Sequence, residues 1–427
     1  MIYLFIHQNF PSQYRHLVRH LADLPGNRVY FITQPNREEI AGVQKLIYRP
    51  KIPAVPRCHP YAVDFDIAVR TGTAVLNVLR HLKNTGIRPD IVVGHCGWGE
   101  TLFVKDVFPD VPLLSYFEYF YHAHGADVGF DPEFSPGLDD DGPRLRIQNA
   151  LGRLTFAVSD FGHTATRWQR SLFPAEMQAR ILTLHEGVDT ETVRPDPAAW
   201  LRFGRGNLTL TRDNEVITFA ARNLEPYRGF PTLMRALPQL LARRPHAHVV
   251  IVGGDEVSYG NAPGAGGSFR DLMLAEVGDA IDPKRVHFLG HLPYQAYLNV
   301  LQVSSVHIHL SYPFILSWSF IEAMAAGCLV IGSSTPAILE VLRDRENGLA
   351  VDFFSVDQIC DRVDEVFAHP DRMQGLRDAA RVTAIAEFDL WSRILPRWIA
   401  LLDEVIAGRH ATDLPPDAGL ATRSGLR

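Results

Sequence analysis

Two arginines follow the end of a buried strand in the stretch FAARNLEPYRGF (219–230). Arg222 ends the apolar run VITFAAR, and Arg228 follows six residues later, directly before Gly229 and a predicted helix. In a doubly wound sheet, ligands bind beyond the carboxyl ends of the strands. Two guanidinium groups at such an end can bind phosphate oxygens bidentately while keeping their charge. The pattern therefore predicts an anion site, with two solvated surface arginines as the alternative.

A second segment, HLSYPFILSWSFIEAMAAG (309–327), carries a carboxylate near the start of a predicted helix. This helix begins near Ser317 and Trp318, and its first N–H groups and positive dipole end suit a diphosphate or a polar sugar. Glu322 lies about one turn inside, among apolar neighbours. A carboxylate there is costly unless it is paired or bound to a ligand, and two ribose hydroxyls would satisfy it. The alternative is a partly exposed glutamate on the outer face.

The elements that must position these residues follow a βαβ pattern, because short apolar runs alternate with longer amphipathic stretches. Predicted strands of the N-terminal half are 2–7, 28–34, 90–95, 112–117, 154–160 and 181–187, with helices at 14–24 and within 63–86. Predicted strands of the C-terminal half are 216–222, 248–255, 285–292, 306–311 and 328–334, with helices at 230–245 and before Gly327. The polar stretch 206–214 is predicted as a connector or surface loop.

Length and composition set the broad class. A chain of 427 residues predicts two α/β domains, and a net charge of −6 argues against a nucleic-acid binder. Four cysteines without metal or redox spacing indicate a reducing cytoplasm. The first residues do not form a signal-peptide pattern, and no apolar run reaches the roughly 18 residues of a membrane span.

Several motifs together resemble the retaining GT-B glycosyltransferases of family 4. They recur in order over roughly 180–355: HEGVDTETVRP, RNLEPYRG, VIVGGD, VHFLG, IEAMAAG and GSSTPAILE. The resemblance implies two Rossmann-like domains facing each other across a cleft, with domain ranges 1–193 for the acceptor and 194–385 for the nucleotide sugar. A C-terminal helix (386–411) would pack back on the first domain, and 412–427 would be a flexible tail.

The resemblance also implies the roles of individual residues in the second half. Arg222 and Arg228 would bind the donor diphosphate, and Glu322 would bind the nucleotide ribose. The backbone of Ile315, Leu316, Ser317 and Trp318 would approach the phosphates and the sugar. This sequence departs from the family at Phe314, which replaces the first carboxylate of the usual pair. That change leaves the donor sugar undetermined.

Further candidates follow the strands of the N-terminal half. His95 occupies a position where the family commonly has a histidine, and Glu118 lies where relatives place an active-site histidine; both are predicted as catalytic. Acceptor-binding candidates are Asn9, Phe10, Gln13, His122 and His124. For each histidine the alternative is a satisfied loop or capping residue, and for Phe10 a structural role.

The predicted activity is hexosyl or related transfer from a nucleoside-diphosphate sugar, UDP being favoured, to a hydroxyl of a carbohydrate, lipid-linked or small-molecule acceptor. No Asp-x-Asp follows a strand, so no metal and no separate cofactor are expected. Such chemistry serves polysaccharide biosynthesis in the cytoplasm, with peripheral contact at the inner membrane face as an open option. The alternatives are a glycoside phosphorylase, a nucleotide-sugar epimerase and a non-catalytic carbohydrate-binding relative.

Overall fold

The computed structural model describes residues 1–55, 57–203, 208–264 and 266–409. Its strands are β1 Ile2–Ile6, β2 Arg28–Thr33, β3 Val43–Ile47, β4 Ile91–His95, β5 Leu113–Tyr116, β6 Phe161–Thr164, β7 Ile181–Thr183, β8 Leu201–Arg202, β9 Thr209–Leu210, β10 Val216–Asn223, β11 His248–Gly254, β12 Val286–Phe288, β13 Val306–His309, β14 Val330–Ser333 and β15 Leu349–Val351. The predicted tail 412–427 lies outside the described residues.

The helices lie between these strands and after the last of them. They are α1 Arg15–Asp23, α2 Val63–Asn84, α3 Val104–Val107, α4 Asp141–Gln148, α5 Ala150–Val158, α6 Arg167–Ser171, α7 Ala175–Gln178, α8 Phe230–Arg243, α9 Phe269–Val277, α10 Tyr294–Val303, α11 Trp318–Ala325, α12 Pro336–Leu339, α13 Val356–Ala368, α14 Pro370–Phe388 and α15 Leu395–Ile406. Among the described residues, none of these helices is long and apolar enough to cross a membrane.

The chain divides into two compact units. The first consists of Met1–Gly129, Gly137–Gly187 and the chain from Trp391 onward, which includes α15. The second consists of Phe130–Pro136 and Val188–Leu390.

Each unit is built on one parallel sheet. The first sheet has the order β3-β2-β1-β4-β5-β6-β7, and the second has the order β12-β11-β10-β13-β14-β15. The strand order reverses at β1/β4 in the first sheet and at β10/β13 in the second, and ligands of such sheets bind outside the carboxyl ends of strands at this reversal. The predicted fold class, two Rossmann-like α/β domains, is confirmed.

The predicted strand at 154–160 is wrong, because this segment is helix α5 and the strand begins at Phe161. Leu151 and Thr155 are buried one turn apart, while Leu154 and Val158 are exposed although their spacing puts them toward the same side of the helix. A short apolar run of this kind does not distinguish a strand from a helix in the sequence. In the stretch predicted as a connector (206–214), Thr209–Leu210 pairs with Leu201–Arg202 as a short antiparallel ladder; Gly206 and Asn207 lie outside the described residues.

The segment Phe130–Pro136 packs onto the second unit although its neighbours in the chain belong to the first. The ring of Phe130 contacts the rings of Tyr312, Phe353 and Phe354 at centroid distances of 5.0 to 5.2 Å. The buried carboxylate of Asp131 accepts a hydrogen bond of 2.7 Å from the Tyr312 hydroxyl. We call this segment the strap.

Candidate functional site

In the second unit, Arg228 lies in a single 3₁₀ turn beyond the carboxyl end of β10. Gly229 follows with a positive φ of 71° and turns the chain into α8. The Arg228 side chain is buried, and its Nη1 donates to the Ser311 hydroxyl at 2.9 Å and to the Ile315 carbonyl at 3.1 Å. The guanidinium group is thus fixed against the loop that follows β13. Arg222, in contrast, is exposed near the end of β10.

The loop after β13 is fixed by the turn that follows β14. The Ser311 N–H donates to the Ser333 hydroxyl at 3.0 Å, and the hydroxyls of Ser333 and Thr335 donate back to the Ser311 carbonyl at 3.1 and 3.0 Å. These contacts give a physical reason for the GSSTP motif. Its hydroxyl groups bind the backbone of Ser311, and the Ser311 side chain accepts the hydrogen bond from Arg228.

Glu225 is a buried carboxylate that is not among the residues predicted from the sequence. Its Oε2 accepts hydrogen bonds from the backbone N–H groups of Ser258 and Tyr259 at 3.0 and 2.9 Å. Burial raises the pKa of Glu225, while these N–H groups and Arg228 oppose that rise. The contact ties the loop after β11 to the turn that carries Arg228. The position of Glu225 in the RNLEPYRG motif, between two candidate arginines, is the sequence feature that could have identified it.

Glu322 lies on α11, one turn from its first residue, as predicted from the sequence. Its carboxylate accepts two tyrosine hydroxyls from α10: Tyr294 on Oε1 at 2.7 Å and Tyr297 on Oε2 at 2.9 Å. Burial raises the pKa of Glu322, and the two hydroxyls lower it. Neither tyrosine is among the residues predicted from the sequence, although their spacing in PYQAYL places them on one helix face.

The segment from Ile315 to Trp318 leads from the Arg228 contact into α11. Leu316 is buried, Trp318 is exposed, and the Ser317 hydroxyl pairs with Ser319 at 2.8 Å instead of capping the helix. Phe314 is buried, with its ring 5.2 Å from that of Tyr227 and 4.9 Å from that of Tyr259. An aromatic cluster therefore stands where the resemblance implies a carboxylate.

In the first unit, the two residues predicted as catalytic lie together. His95 ends β4 and Glu118 follows β5; His95 Nε2 lies 3.4 Å from Glu118 Oε2. His95 is buried, its Nδ1 accepts the Gly97 N–H at 2.9 Å, and its ring stacks on Trp98 at 4.1 Å. The Gly97 bond places any ring proton on Nε2, toward the partly exposed Glu118 carboxylate.

The predicted acceptor residues differ in their exposure and in their contacts. Phe10 is buried against Phe31, so the geometry favours its structural alternative. His122 Nε2 donates to the Leu172 carbonyl at 2.7 Å, which is a capping role. Asn9 and His124 are exposed, and Gln13 is partly exposed with its Oε1 accepting from Ser12 at 2.6 Å.

Two buried histidines beside this pair were missed. His7 follows β1, with its ring 5.2 Å from that of His95. His163 lies in β6, where it stacks on Tyr116 at 4.7 Å and meets the edge of Trp398 at 4.7 Å. His7 is visible in the sequence as a polar residue after a buried strand. His163 is not visible in the sequence, because the predicted strand begins at 154, seven residues before β6.

Within the described ranges, no three His, Cys, Asp or Glu side chains are grouped so that they could hold a metal ion. The cations predicted for the second unit's candidate site are Arg222 and Arg228.

Comparison with known proteins gives two family matches. The model described as glycosyl transferase family 4 group matches residues 25–193, and the one described as glycosyl transferases group 1 matches residues 207–383. A GDP-mannose-dependent alpha-(1-6)-phosphatidylinositol monomannoside mannosyltransferase of Mycobacterium tuberculosis is 30% identical over 246 residues, 57% of this chain and 60% of that protein. A phosphatidyl-myo-inositol mannosyltransferase of Mycolicibacterium smegmatis is 30% identical over 210 residues, 48% of this chain and 45% of that protein. The chain thus matches less than two thirds of the length of these relatives.

Solved structures share the fold. Sucrose-phosphate synthase from Thermosynechococcus elongatus superposes with a TM-score of 0.72 at 17% identity, covering 96% of this chain and all of that one (100%). HepE of Anabaena, in complex with UDP-glucose, superposes with a TM-score of 0.66 at 14% identity, covering 95% of this chain and 100% of that one.

Proposed function

Because the chain belongs to the group 1 glycosyltransferases and has their GT-B fold, we propose that it transfers a glycosyl group from a nucleoside-diphosphate sugar to a hydroxyl acceptor. The proposed reaction is hexosyl or related transfer that retains the anomeric configuration. It uses no metal ion, and the sugar nucleotide is its only cosubstrate.

The observation that carries this proposal is the contact between Arg228 and the loop leading to Glu322. The buried guanidinium group donates to Ser311 and Ile315, and the same loop continues into the helix that bears the carboxylate. A cation suited to phosphate and a carboxylate suited to ribose hydroxyls are thus fixed to one structural segment. Arg222 and the start of α11 add positive charge, which would stabilise the departing diphosphate in place of a metal ion.

In the first unit we propose His95 and Glu118 as the catalytic residues. The carboxylate of Glu118 would stabilise positive charge at the anomeric carbon or orient the acceptor hydroxyl, and His95 would hold that carboxylate. Asn9, Gln13 and His124 remain acceptor-binding candidates because their side chains are at least partly exposed.

Two donors are the first to test. The mannosyltransferases described above are named as GDP-mannose-dependent or phosphatidylinositol-directed enzymes, and HepE was solved with UDP-glucose. GDP-mannose therefore stands beside the UDP-sugars favoured from the sequence. The acceptors to compare are a saccharide, a small polyol and an inositol lipid presented in vesicles.

A second candidate function, a non-catalytic carbohydrate-binding relative, is favoured by one observation. Phe314 and its aromatic neighbours Tyr227 and Tyr259 occupy the position of the missing carboxylate. Such a protein would bind saccharide but turn over no sugar nucleotide.

One experiment separates these functions. The purified chain is incubated with UDP-glucose or GDP-mannose, with and without each acceptor, in buffer containing excess EDTA, and the products are analysed by NMR. Acceptor-dependent release of nucleoside diphosphate, with an axial anomeric product from an axial donor, supports the proposal. Donor isomerisation without acceptor indicates an epimerase, and sugar phosphate formed only with added phosphate indicates a phosphorylase. Activity that requires added Mg²⁺ or Mn²⁺ contradicts the arginine-based account.

The role of Glu322 is tested by nucleotide binding. Glu322→Gln replaces one acceptor oxygen with a donor, so calorimetry should show a loss of about 1.5–3 kcal/mol in affinity for the natural nucleoside diphosphate. A 2′,3′-dideoxy nucleotide should bind the wild type weakly and be insensitive to the substitution. The exposed Glu346→Gln serves as the control. Equal wild-type affinity for the dideoxy and natural nucleotides would remove Glu322 from the ribose site.

A further inference from the structure

The helix α10 presents two tyrosines to the carboxylate of α11. Tyr294 and Tyr297 are three residues apart, which places them on the same helix face. Each hydroxyl donates to a different carboxylate oxygen of Glu322, at 2.7 and 2.9 Å. The carboxylate is therefore held from both oxygens by one rigid element.

This geometry leaves part of the carboxylate open. An ionised carboxylate offers about four lone-pair sites, of which the two tyrosines occupy two. The remaining sites can accept two further hydroxyl donors, and the side-chain rotamer that presents them is already fixed. A group fixed before the ligand arrives loses less conformational entropy on binding.

The tyrosine hydroxyls also influence the charge of the carboxylate. Burial raises the pKa of Glu322, and Tyr294 and Tyr297 are the side chains that lower it. From α14, which also packs against α11, Arg381 bonds the Ala325 carbonyl at the other end of the helix. Removing a tyrosine hydroxyl therefore raises the pKa of Glu322 further and favours the protonated form, which has one acceptor site fewer.

We propose that Tyr294 and Tyr297 are positioning residues for nucleotide recognition, which hold the Glu322 carboxylate in the orientation that accepts the two ribose hydroxyls of the donor. This inference rests on the proposed function of the site. The two tyrosines differ in burial, since Tyr294 is 49% exposed and Tyr297 packs against the apolar core around α11. Tyr297, whose hydrogen bond is better shielded from water, makes the larger contribution.

The test uses Tyr297→Phe and Tyr294→Phe in the full-length protein, with UDP and GDP as ligands from pH 5.5 to 8. Tyr297→Phe should weaken binding about tenfold at pH 7 and more at pH 5.5, because the protonated fraction of Glu322 rises as the pH falls. Tyr294→Phe should show the same trend with a smaller loss. Tyr61→Phe, which removes a tyrosine bond to Asp140 in the first unit, is the matched control.

Two further measurements make the result specific. Affinity for the 2′,3′-dideoxy nucleotide should be the same in the wild type and in both variants, and in the Glu322→Gln background neither tyrosine substitution should cause a further loss. An equal loss for natural and dideoxy nucleotides, or an unchanged pH profile, overturns the positioning role. If Tyr297→Phe does not fold, the exposed Tyr294→Phe carries the same test. If the wild-type protein binds neither UDP nor GDP, the proposed function itself is contradicted, and not only the positioning role.

Discussion

At the scale of single residues, Arg228 and Arg222 differ in how they are held. Arg228 is buried and bonded to Ser311 and Ile315 through one nitrogen, whereas Arg222 is exposed. Arg228 therefore both offers positive charge and orders the loop that leads to α11. The two arginines should for this reason not be equivalent in nucleotide binding.

We expect Arg228→Ala to weaken nucleoside-diphosphate binding more than Arg222→Ala does. Each substitution removes charge-assisted hydrogen bonds worth about 1.5–3 kcal/mol, and only Arg228→Ala also frees the loop. Calorimetry with UDP and GDP measures both losses, and the exposed Arg80→Ala in the first unit is the control. Wild-type affinity in both variants would exclude these arginines from the site.

Site residues could be predicted from the sequence where a charged side chain stands among apolar neighbours. They could not be predicted where the hydrogen-bond partners are distant in the chain. Glu322 stands out because it is charged among apolar neighbours. Tyr294 and Tyr297 look like ordinary amphipathic residues until the fold brings them to a carboxylate 28 and 25 positions later. The role of Glu225 was not predicted for the same reason, because its hydrogen-bond partners Ser258 and Tyr259 belong to another loop.

At the scale of elements, the turn between β10 and α8 depends on Gly229. Its φ is 71°, a left-handed conformation, and an added Cβ would overlap the side chain of Leu310. Gly229→Ala should therefore lower the free energy of unfolding by about 1–2 kcal/mol from backbone strain and about 1–3 kcal/mol from overpacking. It should also weaken nucleotide binding, because the turn carries Arg228.

The matched control is Gly152→Ala on α5, where an added Cβ meets no atom within 4 Å. That change should be neutral or should stabilise the helix by about 0.5–1 kcal/mol. Urea unfolding measures both variants. If Gly229→Ala is as stable as the wild type, the close approach of this turn to Leu310 is not a constraint on the site.

Elements were predictable where an apolar run has unambiguous length and flanks. The strands near 216–222, 248–255 and 306–311 are confirmed. Each was predictable because it is a short run with β-branched residues and turn residues around it. The segment 154–160 was predicted wrongly as a strand, because a short apolar run is compatible with both a buried strand and a helix. Its identity as a helix is decided by the fold, in which Leu151 and Thr155 are buried one turn apart.

At the scale of the whole molecule, both units contain histidines that fold in the neutral form. Burial lowers the pKa of His163 to about 3 and that of His307 to about 4, and it lowers the pKa of His7 and His309 as well. In the unfolded chain these groups take up protons below about pH 6.5. The stability they contribute is therefore present above that pH and is lost as the pH falls toward the folded-state values.

We expect His163→Phe to remove about 2 kcal/mol of the difference in unfolding free energy between pH 7 and pH 5, since one protonating group is lost from the unfolded chain. The phenyl ring keeps the stack on Tyr116 and the contact with Trp398. Urea unfolding at the two pH values gives the measurement, with the exposed His81→Gln as the control. A pH dependence equal to that of the wild type would show that His163 protonates without unfolding.

The strap bears on how such chains can be recombined. The backbone passes between the two units four times, at 129/130, 136/137, 187/188 and 390/391, so no single cut separates them. A chimera joined only near residue 187 would place foreign residues against Tyr312 and Phe353, and the acidic partner of Tyr312 would have to be matched by chance. An exchange of the second unit between homologues should therefore transfer 130–136 together with 188–390. Substitutions in these seven residues should therefore vary together with substitutions in the second unit, although the segment lies within the first unit in the chain.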